Sequence, residues 1–332
     1  MIKIIDSTLC MLNDYKLTKE QINRFISLIG NVGIKDLQIN STVYKILEGE
    51  LPDGFTYYLE LGMVPYISGN YPVDEKIKYY FIPKHSNSPK EIETFQINDI
   101  SEPVDFKSDI DERIIKITGL DGLLISGCDT ALAWIEKKLH IRNTIVCPEN
   151  TYNCATALAV MFLEQKGYAV VTSFSGIGNK AATEQVIMVL HVSERYMNNK
   201  RFSDFSKLKI WLEEITEKKV PSSAPIIGER IFYVESGVHV DGILKKPANY
   251  EPYPPEEVGL KRKIVLGKYS GKTSVIIKLK KLGLKGYSAE DAEKLLKIIK
   301  KQSVLDGTAV SDNKFIQIVE GYDRYEKDTK NC

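Results

Sequence analysis

A histidine and a tyrosine eleven residues apart, His239 and Tyr250, lie in a glycine-punctuated stretch that begins Glu235-Ser-Gly-Val-His-Val-Asp-Gly242. A neutral imidazole shuttles protons near pH 7 and a phenolic hydroxyl donates to a developing oxyanion, so the two together suit proton transfer coupled to oxyanion stabilisation. The plain alternative is structural: a single histidine among glycines usually packs, and so do most of the eighteen tyrosines of this chain. A second set is Cys10, Cys147 and Glu149, which would hold a soft metal such as zinc if the fold brought them together; thiols buried as packing material are the simpler reading. Ser175-Gly-Ile-Gly178, after an apolar run, has the look of a phosphate-binding turn, whereas no Walker A or GxGxxG pattern occurs.

The elements that would position these residues are legible in part. Ile2 to Ile5 is a short apolar run; Thr18 and Gln21 have the spacing of a capping box, and Ile22, Phe25, Ile26 and Ile29 recur with helical period up to Gly30 and Gly33. With a strand at Ile34 to Ile39 this makes a βαβ unit. The same grammar returns as a strand at Thr144 to Cys147, a helix from Ala155 to Lys166 capped by Asn150 or Thr151, and Gly167 suited to its left-handed C-terminal position. A strand at Tyr168 to Phe174 and helices at Ala181 to His191 and Phe205 to Ile215 follow. Repeated β-then-α units imply a parallel sheet, open or closed. Between Leu51 and Glu112 the pattern is poor: strands are expected at Tyr57 to Leu61, Tyr79 to Pro83 and Thr94 to Ile97, without a long helix among them.

The composition, 332 residues with 43% hydrophobic and 27% charged, is that of a globular chain with room for more than one domain. Net charge is +1, but thirteen Lys or Arg against three acids between Lys261 and Lys301 set a basic segment on an acidic body. No aromatic stacking platform accompanies those lysines, so a solvated face is expected there and nucleic acid is not. The five cysteines form no CxxC pair, and the N-terminus lacks the regions of a signal peptide. The longest apolar run, Ala157 to Leu163, is too short to span a bilayer. A cytoplasmic protein with no membrane partner is expected. The composition changes after Pro221-Ser-Ser-Ala-Pro225, which reads as a linker between domains at 1–220 and 221–332, the second closing with a helix capped by Ser288 and Asp291 and apolar at Ala292, Leu295, Leu296 and Ile299.

The stretch from Glu235 through Lys245, continuing by Tyr250-Glu-Pro to Val265-Leu-Gly-Lys-Tyr-Ser-Gly271, resembles the SGIHVDGIL…YEP…LGKHSG signature of the homocitrate and isopropylmalate synthase family, and is most similar to the nitrogen-fixation (NifV-type) homocitrate synthases. Weaker likenesses run through the N-terminal half. IIDSTLC at 4–10 resembles the family's DTTLRDG strand, CPENTYNCATALA at 147–159 its HxHND-LGLATAN segment, and SGIGNKAAT at 175–183 its NGLGERAGN loop.

The resemblance implies an α/β chain: a TIM-type (β/α) barrel followed by a small α+β linker subdomain that works in the neighbouring protomer. It implies condensation of acetyl-CoA with a 2-oxo acid chelated to a divalent metal, with the matching His239 in acid-base work near the thioester and Tyr250 near the developing alkoxide. Departures fall on the barrel. Met11, Cys147, Glu149 and Thr183 stand where the family has its metal ligands, Asn179 and Lys180 replace the Glu-Arg of its glycine-rich loop, and Tyr269 replaces a histidine. Met and Thr are poor ligands for a hard cation, so this chain is expected to hold no metal of its own. Length suggests a shortened or incomplete barrel: six units at about 30 residues each need roughly 190 residues between Asp6 and Cys147, and the actual separation is 141.

These signs lead to the expectation of an omega-type subunit of a split homocitrate synthase, inactive by itself, which supplies His239 and Tyr250 in trans to 2-oxoglutarate and acetyl-CoA on an alpha-type partner with an intact metal barrel. The alternatives are a non-catalytic regulatory or scaffolding homologue, a self-dimer included, and a stand-alone enzyme with a rebuilt Cys10/Cys147/Glu149 metal site.

Overall fold

The computed structural model describes residues 2–83, 86, 88–98, 113–120, 133, 141–193 and 201–330. Two compact units divide the chain, Met1–Gly228 and Glu229–Cys332. Among the described residues no helix is long and apolar enough to cross a membrane. Cys128 and Cys332 lie outside the described residues.

In the first unit eight parallel strands close on themselves: β1 (Ile4–Asp6), β2 (Asp36–Asn40), β3 (Thr56–Glu60), β4 (Ile77–Ile82), β5 (Glu91–Ile97), β6 (Ile115–Gly119), β7 (Thr144–Pro148) and β8 (Ala169–Thr172), with β8 pairing back to β1. This is the expected TIM-type barrel, shortened as expected but not incomplete, since all eight strands are present and closed. The missing length comes out of the crossovers. Helices α2 (Ser41–Ile46) and α3 (Met63–Ser68) have six residues each, and only residues 83–90 join β4 to β5, fewer than the dozen or so of an ordinary parallel crossover. The size rule assumes a full helix in every unit; closing a barrel requires only that every strand find two neighbours.

The clearest helix, α1 (Lys19–Asn31), starts as expected: Gln21 donates its backbone N–H to Thr18 Oγ1 at 3.2 Å and its side-chain oxygen accepts from Thr18 N at 2.8 Å. Its buried face, Ile22, Phe25, Ile26 and Ile29, meets Trp211 of α6 (Phe205–Thr216), whose ring centroid is 4.7 Å from that of Phe25. After α4 (Ala155–Glu164) the left-handed residue is Lys166, at φ 66°, and not Gly167. Gly167 is required for another reason, because a Cβ there would stand 2.2 Å from the Phe162 ring. Strand β6, unread in the sequence, is flanked by residues outside the description.

The second unit pairs two short parallel strands, β9 (Tyr233–Val234) and β10 (Lys263–Ile264), with α7 (Gly237–Lys245), α8 (Lys272–Lys281), α9 (Ala289–Asp306) and α10 (Asp312–Lys330). The capping box expected at Ser288 and Asp291 forms, and Ala292, Leu295 and Ile299 enter a core with Val275, Phe315 and Val319. The lysines of α9 take the opposite face.

Candidate functional site

Strand register decides what lines the barrel. Lys116 is the partner of Ile145, which is the partner of Ala169, and both of those lie in the interior cluster with Ile5, Tyr58 and Phe81. Partners in a ladder point to the same face, so Lys116 points inward. Its ammonium stands 4.1 Å from the Phe81 ring centroid, donates to Gln38 Oε1 at 3.2 Å and lies 3.6 Å from Glu60, while Gln38 Nε2 donates to Glu60 at 2.8 Å. At 3% exposure this side chain is buried with ring, amide and carboxylate all facing it. Sequence reading missed this network; its signal was a lysine between Ile115 and Ile117 in an apolar run.

The four positions matching the family's metal ligands are each engaged within the chain. Met11 covers Gly178, where a Cβ would stand 2.3 Å from its sulfur. Cys147 is buried in the interior cluster, Lys180 holds Glu149 at 3.1 Å, and Thr183 donates to Asp6 Oδ2 at 2.6 Å. A thioether, a packed thiol, a neutralised carboxylate and a spent hydroxyl do not fit a hard divalent cation. The soft-metal alternative also fails. The Cys10 thiol donates to Gln38 O at 3.3 Å and burial raises its pKa, which disfavours the thiolate that a metal needs. Among the described residues no group of three His, Cys, Asp or Glu is placed to hold a metal ion. Nor is the Ser175–Gly178 turn open to a phosphate: Ser175 N donates to the Glu184 carboxylate at 2.8 Å, and Met11 lies over Gly178.

Two buried carboxylates border this region. Asp6, at the end of β1, is pushed up to about 6 by burial, against the hydrogen bonds from Thr183 and Thr8. Glu184, on α5 (Thr183–Val192), is pushed up to about 7 by burial, opposed by the Ser175 amide.

In the second unit His239 and Tyr250 come together. The histidine sits on α7 and the tyrosine follows the short turn at Pro247–Asn249, with ring centroids 5.8 Å apart and planes tilted by 56°. Both line a cavity of about 310 Å³ with Phe232, Glu235, Ile243 and Glu251. The glycines of the motif make this pairing. A Cβ at Gly242 would stand 2.2 Å from the Tyr250 hydroxyl, so the phenol lies directly on the helix at a residue without a side chain. At the start of α7 a Cβ on Gly237 would meet the Gly271 backbone at 2.7 Å, and Gly237 N donates to Tyr269 O at 3.2 Å. Tyr269 N in turn donates to Glu235 Oε1 at 2.8 Å, and Ser270 Oγ to Glu235 O at 3.2 Å. The Glu235–Gly237 and Gly267–Gly271 segments thus lock by backbone contact. Tyr250 is fixed from its other side because Arg262 holds the neighbouring Glu251 through two guanidinium nitrogens. Ring, helix and bidentate clamp leave the imidazole and the phenol at one opening, with Tyr250 46% exposed.

The family described as "Homocitrate synthase post-HMGL domain-like" matches residues 226–305. The homocitrate synthase omega subunit of Clostridium pasteurianum is 32% identical over 93% of this chain and 91% of that protein. Homocitrate synthase AksA of Methanocaldococcus jannaschii is 37% identical over 55% of this chain, a match spanning 45% of its own length. Among solved structures the HMG-CoA lyase of Bacillus subtilis superposes with a TM-score of 0.49 at 12% identity, over 66% of this chain and 95% of that one.

Proposed function

Because the chain belongs to the homocitrate synthase family, we propose that it is the omega-type subunit of a split homocitrate synthase, supplying His239 and Tyr250 in trans to the condensation of acetyl-CoA with 2-oxoglutarate on a metal-bearing partner subunit. The observation that carries this reading is an asymmetry between the two units. The barrel's four ligand positions are spent on internal contacts, whereas the second unit presents an imidazole and a phenol at one cavity. Likeness to a protein named as an omega subunit along nearly the whole chain supports it.

In this reading the His239 ring nitrogen accepts and returns a proton at the thioester, and the Tyr250 hydroxyl donates to the oxygen on which charge develops. The setting suits both roles. An exposed helix residue can reach into a neighbouring chain, and the Gly242 seat holds the hydroxyl without a competing side chain. The rearranged barrel then serves as the body that carries this unit to its partner.

The test measures CoA release by the purified chain alone, by an intact HxH-bearing subunit alone, and by the two mixed. Little turnover by the single chain and a rate that appears on mixing are expected, with His239→Ala lowering the mixed rate by about 10²–10⁴ while complex formation persists. Full activity from the single chain, or an unaltered rate after His239→Ala, contradicts the proposal. The filled barrel also favours a second reading, a scaffolding homologue, and the same variant separates the two: a scaffold tolerates the loss of the imidazole as long as the complex forms.

A further inference from the structure

The second unit contains another cavity, of about 350 Å³, that shares Tyr233 with the first and is lined in addition by Arg230, Lys263, Thr308, Ser311 and Asp312. Local structure gathers two cations at one ring. The turn closed by Tyr233 N donating to Arg230 O at 2.9 Å brings the guanidinium to 5.9 Å from the Tyr233 ring centroid. The β9–β10 register makes Lys263 the direct partner of Tyr233, and its ammonium lies 5.2 Å from the same centroid.

Among the described residues neither Arg230 nor Lys263 has a carboxylate in salt-bridge contact, and the carboxylate in the lining is already committed: Lys278, 2% exposed, holds Asp312 at 2.7 Å. That hydrogen bond, with Lys263 and Lys281 nearby, keeps the Asp312 carboxyl below its usual range, so the acid remains bound to its lysine. The Ser311 hydroxyl accepts from Lys314 N at 3.2 Å at the start of the nineteen-residue α10 and retains its own proton to donate. Two cations without a salt bridge among the described residues, a hydroxyl donor and an aromatic face surround a volume at the lower end of the range for small-molecule sites.

We propose that this cavity is a binding site for a small phosphorylated anion, with Arg230 and Lys263 holding phosphate oxygens, the Ser311 hydroxyl donating to a third and the Tyr233 ring forming the wall. A phosphate or diphosphate fits better than a simple carboxylate because it offers several charged oxygens in a compact tetrahedral array, which a guanidinium fork and a point ammonium grip from two directions. The site does not depend on the split-synthase reading, since it uses neither His239 nor Tyr250.

Isothermal titration of the full chain at constant ionic strength, with inorganic pyrophosphate, ADP, adenosine and succinate as separate probes, tests it. Pyrophosphate and ADP are expected to bind, adenosine and succinate to bind far more weakly. Arg230→Gln with Lys263→Gln should weaken both phosphorylated probes by at least about tenfold. These side chains are exposed and half-buried, so the variant should keep the native circular dichroism spectrum. Equal affinity for pyrophosphate and ADP supports recognition of the phosphates alone, whereas tighter ADP binding that is lost in Tyr233→Leu supports a base on the ring. Absence of binding by either phosphorylated probe at millimolar concentration overturns the site, as does affinity unchanged in the folded double variant, or succinate binding as tightly as pyrophosphate.

Discussion

Buried ionisable side chains carry the most specific expectations at the level of single residues. Asp6 and Glu184 have folded pKa values of about 6 and about 7, above their ordinary 3.8 and 4.5. The folded state therefore binds more protons than the unfolded one between those values, and stability falls as pH rises through that window. Their contribution is fully present below about pH 4, the unfolded carboxylate range, and is lost once pH has passed about 6 and then about 7. Urea unfolding midpoints followed between pH 4.5 and 8 should show this decline, and Asp6→Asn should make it shallower; a slope unchanged by that substitution would remove Asp6 from the explanation. Lys116 gives a second test. Lys116→Met keeps most of the volume but leaves Gln38 Oε1 without its donor and Glu60 without its ion-pair partner, with only the Gln38 amide still donating to it. A loss of about 1–3 kcal/mol in the unfolding free energy is expected, below the cost of stranding a fully buried charge because Glu60 is 41% exposed and can rehydrate. Sequence alone shows Lys116 as an anomaly in an apolar run; the ladder register places it in the barrel interior.

At the scale of elements, glycine contacts decide whether His239 and Tyr250 form one site. Gly242→Ala places a methyl group where the phenol lies, and so should displace Tyr250 and lower the rate of the mixed enzyme while the chain's thermal midpoint moves little, since alanine suits a helix interior better than glycine. Equal rates for wild type and Gly242→Ala would show that the seat is unimportant. Gly237→Ala should behave differently, because its methyl group meets the Gly271 backbone, which has no flexible side chain to yield. There the expected outcome is a lowered midpoint, with a loss of stability of about 1–3 kcal/mol. The helices that could be read from sequence, α1 and α9, are those with a complete capping box and a regular apolar face. The barrel strand missed in the sequence is β6, where the inward Lys116 breaks the apolar pattern expected of buried parallel strands.

For the molecule as a whole, the residues at the family's ligand positions are engaged in contacts within the chain, and the expectation is that the barrel needs no bound cation there. Removal of metal should therefore leave it intact. Thermal unfolding with and without excess EDTA is expected to give the same midpoint, and added Mg²⁺, Mn²⁺ or Zn²⁺ should not raise it in the manner of a ligand that binds only the folded state. A midpoint that falls on chelation and returns with one metal would contradict the reading of Met11, Cys147, Glu149 and Thr183 as internally engaged.

Residue types alone showed that Met11, Cys147, Glu149 and Thr183 are not the residues of the resembling family's ligand motif, because ligand chemistry depends on identity before geometry, and that a histidine and a tyrosine stand in a legible motif. Sequence also located the capped helices, whose start signals are local. What it could not decide was closure of the barrel, since length measures crossovers and strands together while closure depends on pairing between β1 and β8, residues far apart in the chain. Tertiary structure also decided what became of each altered ligand position, and that Gly242 seats Tyr250 and Gly237 meets Gly271. Those facts rest on contacts between segments, and a contact has no signature in either segment alone.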